Sequence, residues 1–132
     1  MGKHKFITEF EINASKKMLY PYLYSASGLS QWFADDVNID EDKNYVFFWD
    51  GENHKAKIAT HKSNSFVKFE MMDDTLLEDG DEASYFEFKL EMSDLTQSVF
   101  LRITDYSENS DEEELQDLWE SLIISLKEIV GG

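Results

Sequence analysis

The sequence has no cysteine and only one proline, Pro21, in 132 residues. The absence of cysteine excludes disulfides, thiolate nucleophiles and zinc–thiolate sites. A chain without cysteine suits a reducing cytosol, so we expect a cytoplasmic protein. Proline, serine and glycine nowhere cluster as they do in linkers, and the length suits one domain over residues 1–132.

Long apolar runs and basic residues are also scarce. No run approaches the roughly 18 residues of a membrane span, and "MGKHKFITEF" lacks the apolar centre of a signal peptide. Lys and Arg total 12 against 28 Asp and Glu, a formal charge of −16. Because such a charge repels phosphate backbones and anionic head groups, we expect neither nucleic acid nor a membrane as a partner. A protein partner with a basic surface stays open.

Apolar residues make up 42% of the chain, and their spacing follows strand and helix periods in turn. Alternation predicts a strand over Lys5–Ile12 and a meander of antiparallel strands between Asp36 and Tyr106. Asp50-Gly51 marks one of the turns. In the segment "HKAKIATH", His54 and His61 are an odd number of residues apart, so they should face opposite sides unless a bulge intervenes.

Two short helices are predicted between the first strand and the meander. "NASKKMLYPYLYSAS" has helical spacing with Asn13 or Ser15 as its cap and Pro21 inside it. Its predicted buried residues are Met18, Leu19, Tyr22 and Leu23. "GLSQWFADDV" then places Leu29, Trp32 and Phe33 on one face of a second helix that Ser27 or Ser30 would start.

A long amphipathic helix closes the sequence. It opens with the capping box Ser110-x-x-Glu113, and Gly131 is suited to end it. Its predicted apolar stripe consists of Leu115, Leu118, Trp119, Leu122, Ile123, Leu126, Ile129 and Val130. The apolar face of the sheet is the large partner available to this stripe. A cavity remains wherever the facing side chains do not fill the space between them.

This order of elements resembles the helix-grip fold of the START-like (SRPBCC), birch-pollen-allergen-like superfamily. "SASGLSQWFADDVNID" and "YVFFWDGENHKAKIATHKSNSFVKFEM" resemble the Trp-Phe helix and central hairpins of homologues of the activator of heat-shock-protein-90 ATPase. "DKNYV" stands where that group often has Gly-Gly. The resemblance implies an α+β fold, with six or seven curved antiparallel strands around the C-terminal helix and two short helices after the first strand. It implies a cavity but transfers no function, because the fold hosts carriers, enzymes and co-chaperones alike.

Three functions are compatible with these features. The first is a binding module that holds a small apolar or amphipathic ligand between the sheet and the C-terminal helix. The second is a co-chaperone-like interaction domain, whose own Phe and Met side chains would fill the cavity and whose acidic surface would meet a basic partner. The third, ranked last, is an enzyme, which needs a convergent polar pair such as His54 with Glu70 or Arg102 with Tyr106.

The candidate cavity residues are the Trp-Phe pair, apolar residues assigned to inward faces, and one arginine. They are Trp32, Phe33, Phe69, Met71, Phe86, Phe88, Leu90, Leu101, Arg102, Trp119, Leu122, Ile123 and Leu126. Arg102 allows two interpretations: an outward side chain paired with Glu91, Glu87 or Asp105, or an inward anchor for a ligand carboxylate.

No catalytic residue, cofactor or metal site is predicted. No nucleophile elbow, P-loop or dinucleotide fingerprint occurs in the sequence. The acidic run Glu78–Glu82 lacks the ligand spacing of an EF-hand loop, and we expect it to be a solvated loop.

Overall fold

The computed structural model describes residues 3–72 and 83–131, in which one antiparallel sheet of seven strands packs against three helices. The strands are β1 (His4–Ile12), β2 (Asp36–Ile39), β3 (Tyr45–Trp49), β4 (Glu52–Lys62), β5 (Phe66–Met71), β6 (Tyr85–Met92) and β7 (Val99–Ser107). The helices are α1 (Lys16–Tyr24), α2 (Ala26–Leu29) and α3 (Glu112–Val130). The strand order is β1-β7-β6-β5-β4-β3-β2, so β1 and β2 form the edges of a curved open sheet. The predicted α+β helix-grip architecture is confirmed.

The core lies between the inner face of the sheet and the helices. Four strands each contribute a completely buried residue to it: Phe47, Phe69, Phe88 and Leu101. On α3 the buried residues are Leu115, Trp119, Ile123 and Leu126, a stripe of helical period. Leu118, predicted in that stripe, is instead 50% exposed, because the buried face turns toward Ile123.

Helix α1 begins where one of the two predicted caps lies. The hydroxyl of Ser15 accepts a hydrogen bond from the Met18 amide at 3.1 Å, and Pro21 lies inside the helix. With this start, Leu19, Tyr20 and Leu23 are buried. The prediction that Met18 is buried was wrong, since its side chain points away from the sheet and is 53% exposed.

Helix α2 is shorter than the spacing predicted. Ser25, rather than Ser27 or Ser30, is its N-cap and accepts from the Gly28 amide at 3.0 Å. The helix ends at Leu29, and Trp32 and Phe33 lie in the turn that follows. Their helical spacing survives because the Phe33 amide donates to the Leu29 carbonyl at 2.9 Å, as in an α-helix.

Helix α3 starts one residue later than the predicted capping box. Asp111 is the N-cap, and its carboxylate accepts from the Glu114 amide at 3.1 Å, so the Ser110-x-x-Glu113 prediction was wrong by one position. Gly131 ends the helix as predicted: its φ of 81° is left-handed, and its amide donates to the Lys127 carbonyl at 2.9 Å.

A β-bulge in β4 overturns the predicted placement of two histidines. Ile58 pairs with Phe69 but Thr60 pairs with Lys68, so one extra residue reverses the alternation beyond Ile58. His54 and His61 therefore share the inner face rather than opposite faces. They lie at different places along it, since His54 stacks on Trp49 at 4.8 Å and His61 contacts Tyr24 at 5.1 Å between ring centroids.

Candidate functional site

A cavity of about 700 Å³ lies where the turn after α2, the β3–β4 turn, the ends of β6 and β7, and α3 meet. We call it the aromatic cavity. It is lined by Ser30, Gln31, Trp32, Phe33, Ala34, Asp35, Trp49, Asp50, Met71, Ser84, Tyr85, Phe86, Asp105, Tyr106, Ser107, Leu118, Trp119, Leu122 and Ser125. Tyr85 and Tyr106 border it from the strand ends, because the strand alternation points their rings to the outer face, where they stack on each other at 5.2 Å.

The two residues of the Trp-Phe pair after α2 have different roles: Trp32 is mainly a core residue, and Phe33 forms the centre of the cavity wall. Trp32 is 5% exposed, and its indole N–H donates to the Tyr22 carbonyl at 2.8 Å, which fixes the turn to α1. Phe33 lies at the centre of the aromatic wall. Its ring contacts those of Trp32, Phe47, Trp49, Phe86, Phe88 and Trp119, with centroids 5.0–5.8 Å apart. Rings at these separations attract each other beyond their hydrophobic burial.

Six of the predicted cavity residues line the aromatic cavity: Trp32, Phe33, Met71, Phe86, Trp119 and Leu122. Six others are packed into the core and leave no surface to it: Phe69, Phe88, Leu90, Leu101, Ile123 and Leu126. The sequence assigned the strand residues of both groups to the inner face of the sheet correctly. It could not separate them, because which part of that face is covered depends on where α3 crosses the sheet.

Arg102 lies on the outer face of the sheet, so its placement among the cavity residues was wrong. Its neighbours Leu101 and Ile103 are completely buried, and alternation turns the guanidinium outward. Its Nε lies 3.4 Å from Glu9 Oε2, and its Nη2 lies 3.3 Å from Glu91 Oε1. The outward interpretation named Glu91. Glu9 was missed because it needs the β1–β7 register, which places Glu9 directly opposite Arg102.

The two polar pairs considered for an enzyme do not converge. Glu70 lies on the outer face, where its carboxylate is 3.6 Å from Lys57 Nζ, whereas His54 lies on the inner face beside Trp49. Arg102 and Tyr106 share the outer face but lie four residues apart on β7. In the described residues no cluster of three or more His, Asp or Glu side chains could hold a metal ion. The acidic run Glu78–Glu82 lies outside the described residues.

The carboxyl group of Asp105 is part of the inner wall of the aromatic cavity. The sequence analysis named this residue only as a partner for Arg102. Asp105 lies on β7 between Phe6 of β1 and Phe86 of β6. Its Oδ2 accepts from the indole N–H of Trp119 at 3.0 Å, and the Ser107 side chain is a second partner. Burial raises the pKa of Asp105 above its ordinary value, although both hydrogen bonds act in the opposite direction. Its inward position could have been predicted from the sequence, because Asp105 continues the alternation of Val99, Leu101 and Ile103 along β7.

The charge of the cavity has one sign. Asp35 and Asp50 are exposed at its rim, and Asp105 lies within it. None of the described residues that line it is Lys, Arg or His. A second depression of about 660 Å³ lies at the opposite strand ends, near Glu11 and Lys127, but none of its described lining residues is aromatic. The aromatic cavity is therefore the stronger candidate site.

The family model for the START-like superfamily domain matches residues 1–132. The chain belongs to the START-like superfamily. Three solved structures show the breadth of the similarity. A Bacteroides fragilis protein is 35% identical with a TM-score of 0.63, and the alignment covers 98% of this chain and 92% of that one. The Aha1 dimer from Colwellia psychrerythraea is 19% identical with a TM-score of 0.74, covering 96% of each chain. A Mesorhizobium loti protein is 12% identical with a TM-score of 0.75, covering 97% of each chain.

At these identities the Colwellia and Mesorhizobium structures bear on the fold of this START-like chain alone. No curated protein matches it. Among the described residues, no helix combines the length and apolar character needed to cross a membrane.

Proposed function

We propose that this START-like domain holds a small apolar or amphipathic ligand in the aromatic cavity. The observation that carries the proposal is the volume of about 700 Å³ left beside Phe33, Phe86 and Trp119. Small-molecule sites are usually preformed concavities of roughly 300–1,000 Å³, mostly apolar, with a few placed polar groups. The aromatic cavity has that volume and an aromatic wall, with Asp105 as its inner polar group.

The interaction-domain alternative predicts that Phe and Met side chains fill this space. Among the described residues, no side chain fills the volume of about 700 Å³ that Phe33, Trp119 and Leu122 help to line, and this supports the ligand interpretation instead. A protein partner with a basic surface stays a prediction that rests on the net charge of −16 alone. The cytoplasmic location likewise stays a prediction.

Native mass spectrometry of the freshly purified protein, followed by a denaturing run, tests the proposal. We expect extra mass that disappears on denaturation. Where the ligand is lost in purification, addition of an apolar compound that fits should raise the melting temperature, because a ligand that binds the folded state stabilises it. A bare mass, with no thermal shift from a panel of fatty acids, sterols, aromatic compounds and amines, would contradict the proposal.

A matched pair of variants on α3 locates the bound molecule. Leu122 is half-buried at the cavity wall, so L122W places an indole in the cavity and should abolish the extra mass or the thermal shift. Ile124 lies on the same helix, is 58% exposed and does not line the cavity, so I124W should bind as the unmodified protein does. Equal loss in both variants would place the ligand elsewhere.

A further inference from the structure

The aromatic cavity offers a ligand negative charge and electron-rich rings. Asp105 lies inside it, and Asp35 and Asp50 lie at its rim. None of the described residues that line it carries a positive charge. The three carboxylates would repel an anionic ligand and attract a cationic one.

Asp105 is hydrogen-bonded, but both of its partners among the described residues are neutral. The Trp119 indole donates at 3.0 Å and the Ser107 hydroxyl is the second partner. A carboxylate removed from water between Phe6 and Phe86 is costly unless an opposite charge compensates it. A positively charged ligand group in the cavity would supply that compensation.

The rings beside Asp105 suit the same charge. Phe33, Phe86 and Trp119 all line the cavity beside Asp105; Phe33 is half-buried, whereas Phe86 and Trp119 are 6% and 3% exposed. The faces of such rings carry partial negative charge and attract ammonium groups, Trp most strongly. The hydrogen bond from the Trp119 indole to Asp105 polarises that ring further.

We propose that the ligand of the aromatic cavity is an organic cation: an amine or quaternary ammonium group on an apolar or aromatic body, with Asp105 as the counter-charge. This inference rests on the proposed function, since it names the class of ligand for the same cavity. It separates this domain from a carrier of fatty acids, whose carboxylate would lie against Asp105.

Three naphthalene probes of similar size and different charge test the inference: the cation 1-naphthylmethylamine, the neutral 1-naphthalenemethanol and the anion 1-naphthoate. Binding is measured by calorimetry at pH 7.5, and the indole N–H resonance of Trp119 reports whether the probe occupies the cavity. We expect the amine to bind about tenfold more tightly than the alcohol, as one charge-assisted contact allows. The naphthoate should bind more weakly than the alcohol.

The variant D105N keeps a group that can accept from Trp119 and removes only the charge. It should lose about tenfold in affinity for the amine and leave the affinity for the alcohol unchanged. D94N, at the opposite strand ends, removes the same net charge and should bind all three probes as the unmodified protein does.

The outcomes separate the inference from the function on which it rests. Equal binding of all three probes, or a preference for naphthoate, would overturn the cation inference but leave a ligand-binding cavity. A tenfold preference for the amine that persists in D105N would overturn the role of Asp105. No binding of any probe, with no shift of the Trp119 resonance, would overturn the cation inference. The proposed function fails with it only where the mass is also bare and the panel of fatty acids, sterols, aromatic compounds and amines gives no thermal shift.

Discussion

The carboxyl group of Asp105 opposes folding at neutral pH. Burial raises its pKa, so the folded protein favours the protonated form, and ionisation above that pKa costs free energy. The stabilising effect of its protonated form is complete below the ordinary Asp pKa of about 3.9 and is lost as the pH rises through the raised pKa. A residue that destabilises the domain on an apolar face is a candidate for function.

We therefore expect D105N to be more stable than the unmodified protein at pH 8, by a free energy of unfolding of about 1 kcal/mol. The amide can still accept from Trp119 Nε1, and no charge has to be buried. The advantage should shrink toward pH 4, where the carboxyl group binds its proton. Urea unfolding at both pH values measures it. An advantage that is independent of pH, or a loss of stability at pH 8, would contradict the assigned cause.

At the residue scale, the sequence predicted which way side chains point better than it predicted their hydrogen-bond and ion-pair partners. The inward positions of Phe33, Phe86 and Trp119 follow from spacing alone. The Trp119–Asp105 hydrogen bond does not, because it depends on where α3 crosses β7. The Glu9–Arg102 pair also depends on a strand register that no local pattern specifies.

The contact between α1 and α2 depends on a glycine. A Cβ atom at Gly28 would lie 2.3 Å from the Pro21 carbonyl oxygen and 2.7 Å from the Tyr22 Cα, and neither atom belongs to a flexible side chain. Only a residue without a Cβ lets the two helices approach this closely. The Trp32 indole reaches the Tyr22 carbonyl across the same contact, so the placement of the cavity wall depends on it.

The variant G28A should therefore destabilise the domain by about 1–3 kcal/mol, because α2 has to move away from the α1 backbone. Thermal and urea unfolding measure the loss, and a displaced Trp32 indole resonance would show that the turn has shifted. The control is S27A, at an exposed position of the same helix, which should change stability by less than about 0.5 kcal/mol. Equal effects of the two variants would mean that the close approach contributes little.

At the element scale, the order and type of the elements were predictable, but their ends were not. The sequence predicted Ser110 as the cap of α3, whereas the chain uses the carboxylate of Asp111, one residue later. Alternation could not predict the extra residue in β4. Ala56 and Ile58 before the bulge face inward whether or not the bulge is present, so their pattern does not reveal it. That single residue decided whether His54 and His61 share a face.

At the scale of the whole molecule, the helix-grip fold was predictable because one long amphipathic helix had only one large apolar surface to cover. The cavity volume was not predictable, since it is what remains after every side chain between the sheet and α3 has packed. A ring at Phe33 that touches six others, yet leaves space beside it, could be seen only once the elements were assembled.

The net charge of −16 acts on the whole molecule. Self-repulsion of like charges favours the expanded, unfolded chain, and dissolved salt screens it. Ion pairs such as Lys55–Asp40 at 3.2 Å and Lys57–Glu70 at 3.6 Å act in the opposite direction. These side chains are partly exposed, and exposed pairs contribute at most about 1 kcal/mol each.

We expect repulsion to dominate, so the melting temperature should rise by several degrees as NaCl increases from about 0.01 M to 0.15 M, over which the Debye length falls from about 30 Å to 8 Å. Differential scanning calorimetry at fixed pH measures the rise. Sucrose at matched osmolality, which screens no charge, is the control and should not reproduce it. A melting temperature that falls with NaCl would mean that local pairs such as Lys55–Asp40 outweigh the repulsion, and that the acidic surface is balanced within the fold. A rise would show uncompensated negative charge, which is the condition under which this domain would attract both a cationic ligand and a basic partner.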